Sequence, residues 1–183
     1  MSKVVAFFGS PDKNGNSAKL IERVLAGAKS VGANVITYNL NEEGIKGCQG
    51  CYYCRKHEGC ATQDKLQSMY EEIRSADCIV AGFPIYFAGI GGQSKQWLDR
   101  MFPMLNGNLL PRYPGKKAVT VYAQGQPDKD MFRSVIDWTD SFFKMFGWEL
   151  VDSLLSHGSN DPQYTIHQEL LDRAYEAGRQ LVN

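Results

Sequence analysis

The chain has 183 residues, and its 20 basic side chains balance 20 acidic ones, giving a formal charge of zero at neutral pH. That length suits one domain, expected over residues 1–183, while the even charge offers no attraction to nucleic acid or to an anionic membrane. No apolar run approaches the roughly 18 residues of a membrane span, and MSKVVAFFGSPDK carries no small-residue cleavage pattern, so a cytoplasmic protein is expected.

Val4 to Phe8 reads as an apolar strand that runs into Gly9-Ser10-Pro11, and a polar loop follows as far as Asn16-Ser17, where a helical repeat begins. A strand, a tight loop and a helix start in that order form an anion site. The first amides of a helix have no internal acceptor, and the helix dipole adds about half a positive charge there. Gly15 allows close backbone approach, and Ser10, Asn16 and Ser17 supply short donors for phosphate oxygens. The plainer alternative is a helix capped by Asn16, with the glycines only turning the chain.

Leu20, Ile21, Val24, Leu25 and Ala28 line one face of the first helix, and Asn34 to Leu40 reads as a second strand. Leu66, Met69, Tyr70 and Ile73 mark the next long helix, with Asp64 placed to cap it and Gln67 three residues on. Cys78 to Phe83 is a nearly unbroken apolar run, as expected of a strand covered on both faces. After it come a helix carrying Leu98, Met101, Phe102 and Leu105, a fourth strand at 117–123, and an aromatic helix at 131–146. A fifth strand near 148–155 and a closing helix with Leu170, Leu171, Ala174 and Leu181 complete the chain. This alternation predicts an α/β doubly wound parallel sheet of five strands, order 2-1-3-4-5.

In that order strands 1 and 3 are neighbours at the switch point, and ligands bind in the crevice at their carboxyl ends. The segment after strand 3, Pro84-Ile85-Tyr86-Phe87-Ala88-Gly89, is apolar where a loop should be polar. Beside an anion loop it suggests a flat aromatic ligand with a phosphate tail. Alternatively, Tyr86 and Phe87 cover the core or a subunit contact.

The GSPDKNGNS loop, the CQGCYYCRKHEGC segment, the PIYF turn and the KQWLDR helix, taken together, resemble the NADPH-dependent FMN reductase and iron–sulfur flavoprotein group of flavodoxin-like proteins. The likeness is strong over positions 3 to 103 and looser beyond. It implies an FMN phosphate on Ser10, Asn14, Asn16 and Ser17 and a flavin ring against Pro84, Ile85, Tyr86, Phe87 and Gly89. Gln124 and Gly125 would contact the ring from the loop after strand 4. It also implies NAD(P)H as reductant and a homodimer or homotetramer. The acceptor could be a quinone, a flavin, another small molecule or a redox protein. No catalytic side chain is required for such chemistry. Long-chain flavodoxins use a Thr-rich first loop and are usually strongly acidic, so this neutral chain fits the reductase branch better. Two other classes stand beside the enzyme: an FMN-binding electron carrier with no nicotinamide reaction of its own, and a flavin-free domain whose anion loop serves another ligand.

Cys48, Cys51, Cys54 and Cys60 have the spacing C-x2-C-x2-C-x5-C, four soft ligands on one short loop. The motif resembles that of the iron–sulfur flavoproteins, which implies a [4Fe-4S] cluster. It departs from the bacterial ferredoxin pattern in its last gap and in having Ala61 where a proline would follow. A zinc site, with His57 replacing one cysteine, and free thiols are the alternatives. Cys78 reads as inert core.

Overall fold

A computed structural model describes residues 1–183. The strands are β1 (Lys3–Phe8), β2 (Asn34–Asn39), β3 (Cys78–Tyr86), β4 (Gly89–Ile90), β5 (Lys117–Ala123) and β6 (Glu149–Ser156). The helices are α1 (Asn16–Ser30), α2 (Tyr53–Lys56), α3 (Gln67–Ser75), α4 (Gly92–Asp99), α5 (Arg133–Met145) and α6 (Gln168–Val182), with a 3-10 turn at Phe102–Met104. Five strands run parallel in the order β2-β1-β3-β5-β6, the flavodoxin-like arrangement that the alternation predicts. The sixth strand is the addition. β4 folds back antiparallel on the end of β3, pairing Ile85 with Ile90 and Tyr86 with Gly89.

Side chains alternate across a strand, so each strand feeds two cores. Val4, Ala6, Val80, Val121 and Leu154 face α1 and α6, meeting Leu20, Ile21, Val24, Ala174 and Leu181. Val5, Phe7, Ile79, Phe83 and Tyr122 face the other way, against Met69, Ile73, Trp97 and Phe143. Each large side chain so buried contributes about 1.5–3 kcal/mol. Helices α1 and α6 pack with their backbones nearly touching. A Cβ at Gly27 would overlap the Tyr175 carbonyl, and one at Gly178 would overlap the Val24 carbonyl.

One carboxylate lies inside the second core. Asp140 on α5 accepts hydrogen bonds from Thr120 (2.9 Å) and Tyr122 (2.6 Å) on β5. Burial raises its pKa above the usual carboxylate value, against the lowering effect of these bonds.

The connection from β1 passes through α1 on one face, and the connection from β3 passes through α4 on the other. The chain therefore parts at the carboxyl ends of β1 and β3, and the crevice forms there. No helix is long and apolar enough to cross a membrane.

Candidate functional site

The crevice is an open cleft of about 820 Å³. Ser10, Asn14, Gly15, Asn16, Ser17, Pro84, Ile85, Tyr86, Phe87 and Gly125 all line it. Two segments 68 residues apart in sequence, counting from Asn16 to Pro84, thus share one space. Of the residues singled out from the sequence, Gly89 and Gln124 stand outside the lining. Gly89 is the hairpin partner of Tyr86. Gln124 is buried behind the wall, where its side-chain amide donates to the carbonyls of Asp128 (2.6 Å) and Gln126 (3.3 Å). Its Oε1 is buried without a partner.

The anion loop is organised by its own side chains. Ser10 Oγ accepts from the Asp12 amide (3.1 Å), Asp12 Oδ1 accepts from the Asn14 amide (2.9 Å), and the Asp12 carbonyl accepts from the Gly15 amide (3.1 Å). The residue before α1 is Gly15, in extended conformation, and no side chain caps the helix. Asn16 is therefore the first helical residue rather than the cap. The amides of Asn16, Ser17 and Ala18 have no acceptor in the chain, which is the donor set an anion needs. No Lys or Arg lines the cleft, so helix amides and short side chains carry the attraction, with Asp12 opposing it.

The aromatic wall is a hairpin rather than a loop. β3 continues three residues past Phe83, the chain turns at Phe87-Ala88, and β4 returns. Both turn residues have positive φ, 48° and 64°, as the tightest hairpins demand, although neither is glycine. Such conformations cost on the order of 1–3 kcal/mol each and gather at functional sites. Phe87 is fully exposed and Tyr86 half-exposed at the mouth of the cleft.

The remaining wall comes from Ala123 at the end of β5, Gly125 and Gln126 after it, Met131 and Phe132 before α5, and Ser159 and Asn160 after β6. The Asn160 amide donates to the Gly125 carbonyl (3.0 Å), and Ser159 Oγ donates to the Gln124 carbonyl (3.2 Å). A Cβ at Gly125 would overlap the Asn160 side chain, so glycine there lets the two loops meet. Sequence reading placed Met131 and Phe132 inside a helix and gave Ser159 and Asn160 no role. Its one usable signal was the polar SHGSND run at the end of a strand.

The four cysteines of the loop surround one small pocket together with Arg100 and Phe102. Tyr52, at a left-handed φ of 55°, reverses the chain between Cys51 and α2. The Gly50 amide approaches Cys48 Sγ (3.5 Å), and the Thr62 amide approaches Cys60 Sγ (3.4 Å). Burial raises the pKa of the Cys54 thiol, and its three cysteine neighbours add to the rise. At Cys60 burial works the same way, but the bonds from Thr62 and the Arg100 charge outweigh it and lower the pKa. His57 stacks on Tyr53 at 4.3 Å and does not line the pocket. No three His, Cys, Asp or Glu side chains converge closely enough to hold a single ion, which zinc requires at about 2.3 Å from each sulfur. Four thiols around one space, two already accepting amide hydrogens, fit the donor chemistry of an iron–sulfur cluster better. The free space is about 20 Å³, so a cluster requires the exposed Cys48 and Cys51 side chains to swing outward. Cys78 lies apart, buried and bonded to the Leu181 carbonyl (3.0 Å), its pKa pushed up to about 11 mainly by burial.

A doubly wound sheet with an anion loop after its first strand and an aromatic hairpin after the next places this chain among the flavodoxin-like α/β proteins. Residues 2–159 match the model of the NADPH-dependent FMN reductase family, and the chain belongs to that family. An iron–sulfur flavoprotein of Methanocaldococcus jannaschii is 29% identical over 160 residues, covering 87% of this chain and 78% of that protein. An iron–sulfur flavoprotein of Methanosarcina thermophila is 29% identical over 138 residues, 74% of this chain and 72% of that one. The solved NAD(P)H:quinone oxidoreductase from Methanothermobacter marburgensis superposes with a TM-score of 0.77 at 20% identity, covering 100% of this chain and 98% of that chain; at this identity the likeness establishes the shared fold.

Proposed function

We propose that this chain is an FMN-dependent oxidoreductase that takes reducing equivalents from NAD(P)H and passes them to a quinone, a flavin or another acceptor. The observation that carries the reading is the single cleft in which Asn16 and Ser17, whose amides have no acceptor, share one space with the hairpin of Ile85, Tyr86 and Phe87. Its volume lies within the usual range of roughly 300–1,000 Å³ for cofactor sites. When bound, FMN supplies the hydride and electron chemistry. The chain's residues bind and orient. Ser10, Asn14, Asn16 and Ser17 hold the phosphate, the hairpin covers the ring and excludes water, and Gly125 with Asn160 closes the far wall. The test is the ligand released by heat, read by mass, together with NADPH oxidation by the purified protein. Recovery of FMN in about 1:1 ratio with turnover supports the proposal; FMN without NADPH oxidation points to an electron carrier, and no flavin after incubation with excess FMN overturns it.

The four-cysteine pocket is proposed to hold a [4Fe-4S] cluster, supported by its donor set and by the names of the curated relatives. A cluster supplies one-electron transfer. Anaerobic purification with iron and sulfide should give about four irons per chain, lost in Cys51→Ala with FMN still bound. Near-zero iron with four titratable thiols would leave a plain flavin reductase. A homo-oligomer is proposed as well, because the exposed Tyr86, Phe87 and Trp138 offer more apolar surface than a monomer of 20.5 kDa ordinarily presents. Sedimentation at micromolar concentration checks it, and a clean monomer counts against it.

A further inference from the structure

The cysteine loop is closed by one buried guanidinium. Arg100, just after α4, is fully buried, and all five of its N–H donors are used. Nη1 donates to the Lys46 carbonyl (2.7 Å) and to Asp64 Oδ2 (2.6 Å). Nη2 donates to the Thr62 carbonyl (3.3 Å) and to Asp64 Oδ1 (3.1 Å). Nε donates to the Tyr70 hydroxyl (3.2 Å), which donates in turn to the Arg100 carbonyl (2.9 Å).

The acceptors are not scattered. Lys46 lies two residues before Cys48, and Thr62 and Asp64 lie two and four residues after Cys60, so one side chain grips both ends of the four-cysteine segment. Asp64 strengthens the grip by accepting from the Lys46 amide (2.9 Å) as well. The Thr62 whose carbonyl Arg100 holds is also the residue whose amide approaches Cys60 Sγ. Arg100 itself lines the cysteine pocket. A lysine could not replace it, because three donors on one atom cannot span two loop ends and a carboxylate fork. From 41 to 65 no residue is buried as a whole, and only the half-buried Ile45 and Cys60 pack against the core, so apolar anchoring of the loop is slight.

We propose that Arg100 is the positioning residue of the cysteine pocket. Paired with Asp64, it holds the two ends of the loop together so that the four thiols stay gathered, and it presents a fixed positive charge to whatever they bind. The charge clause rests on the cluster reading given under Proposed function; the latch clause does not. Removing one charge leaves the other buried alone, which threatens folding, so the central variant removes both: Asp64→Asn with Arg100→Gln.

Amide hydrogen exchange on the metal-free protein tests the latch. The double variant should keep FMN at about 1:1 and its β1 and β3 protection, while exchange over residues 46–66 rises at least tenfold. Unchanged exchange there overturns the latch. The reduction potential of the reconstituted cluster tests the charge, because a merely structural role would move all variants alike. The expected order is Asp64→Asn highest, then wild type, then the double variant, and Arg100→Gln lowest, since Arg100 lines the pocket while Asp64 does not and a positive charge favours the reduced cluster. Equal potentials in every variant that loads overturn the charge clause. If the wild-type protein loads no iron, the cluster reading fails and takes the charge clause with it, while the exchange result decides the latch alone.

Discussion

The cleft and the cysteine pocket are held by different physics. The cleft is built from the ends of β1, β3, β5 and β6, whose backbones are fixed by parallel ladders and by two apolar cores. The loop from 41 to 65 contains one four-residue helix, no strand and no wholly buried residue, and its Asp64 makes a buried ion pair with Arg100. Apolar burial involves no titrating group, whereas a buried pair fails when either partner is lost. The phosphate loop can therefore be trimmed without losing the fold, and the cysteine loop cannot be uncharged on one side without paying for the other.

The largest expected effect follows from that contrast. Asp64→Ala leaves the Arg100 charge buried and unpaired and should cost about 3–5 kcal/mol in urea unfolding. Asp152→Ala, which removes the more exposed pair with Arg173, should cost no more than about 1 kcal/mol. Equal losses would break the comparison. The same pair gives the loop a pH dependence. Burial alone would raise the pKa of Asp64, but its bonds from Arg100, Lys46 and Leu66 outweigh this and hold it below the ordinary carboxylate value. Its contribution is thus present above the ordinary carboxylate range and is lost as pH falls through the lowered value. Exchange over residues 46–64 should quicken there before the sheet opens.

The cleft should respond to ligand rather than to fold. Ser17→Ala removes one hydroxyl at the helix start and should weaken FMN by about 1.5–3 kcal/mol, roughly ten- to a hundredfold. Riboflavin, which lacks the phosphate, should bind as before, and the unfolding midpoint should hardly move. Titration by flavin fluorescence checks both ligands. Equal weakening of the two would mean that Ser17 supports the ring or the loop instead.

The sheet and the two principal walls of the cleft were legible in the sequence because strands and loops there follow local rules. The first anion loop ends where an apolar period of 3.6 begins, and the third strand announces itself as an apolar run. What was hidden depended on distant partners. β3 was expected to span the apolar run Cys78 to Phe83; it continues to Tyr86 because pairing with β5 reaches Pro84 and the antiparallel return of β4 carries the ladder beyond it. Asp64 looked like a helix cap, but α3 starts at Gln67 with no side-chain cap, and Asp64 Oδ1 accepts from the Leu66 amide (3.0 Å) in the turn just before it. Nothing local says that the same carboxylate also meets an arginine 36 positions away. Asn160 was invisible for the same reason, its place against Gly125 being fixed only when β5 and β6 align.

The smallest effect expected concerns the second buried carboxylate, and its sign is opposite to that of Asp64. Asp140 is satisfied by Thr120 and Tyr122 but faces no cation, so burial dominates and its pKa is raised in the folded state. A raised carboxylate binds its proton more tightly folded than unfolded, so the contribution is full below the unfolded pKa. It is lost as pH rises through the folded one. Asp140→Asn removes the charge while keeping a carbonyl oxygen to accept from Thr120 and Tyr122. At neutral pH the variant should therefore be as stable as the wild type or slightly more so, and near pH 3 the advantage should vanish. Urea midpoints at the two pH values decide it. A clear loss of stability at neutral pH would show that the ionised form of Asp140 supports the fold, which would place the interior beside β5 with the cysteine loop among the regions held by charge.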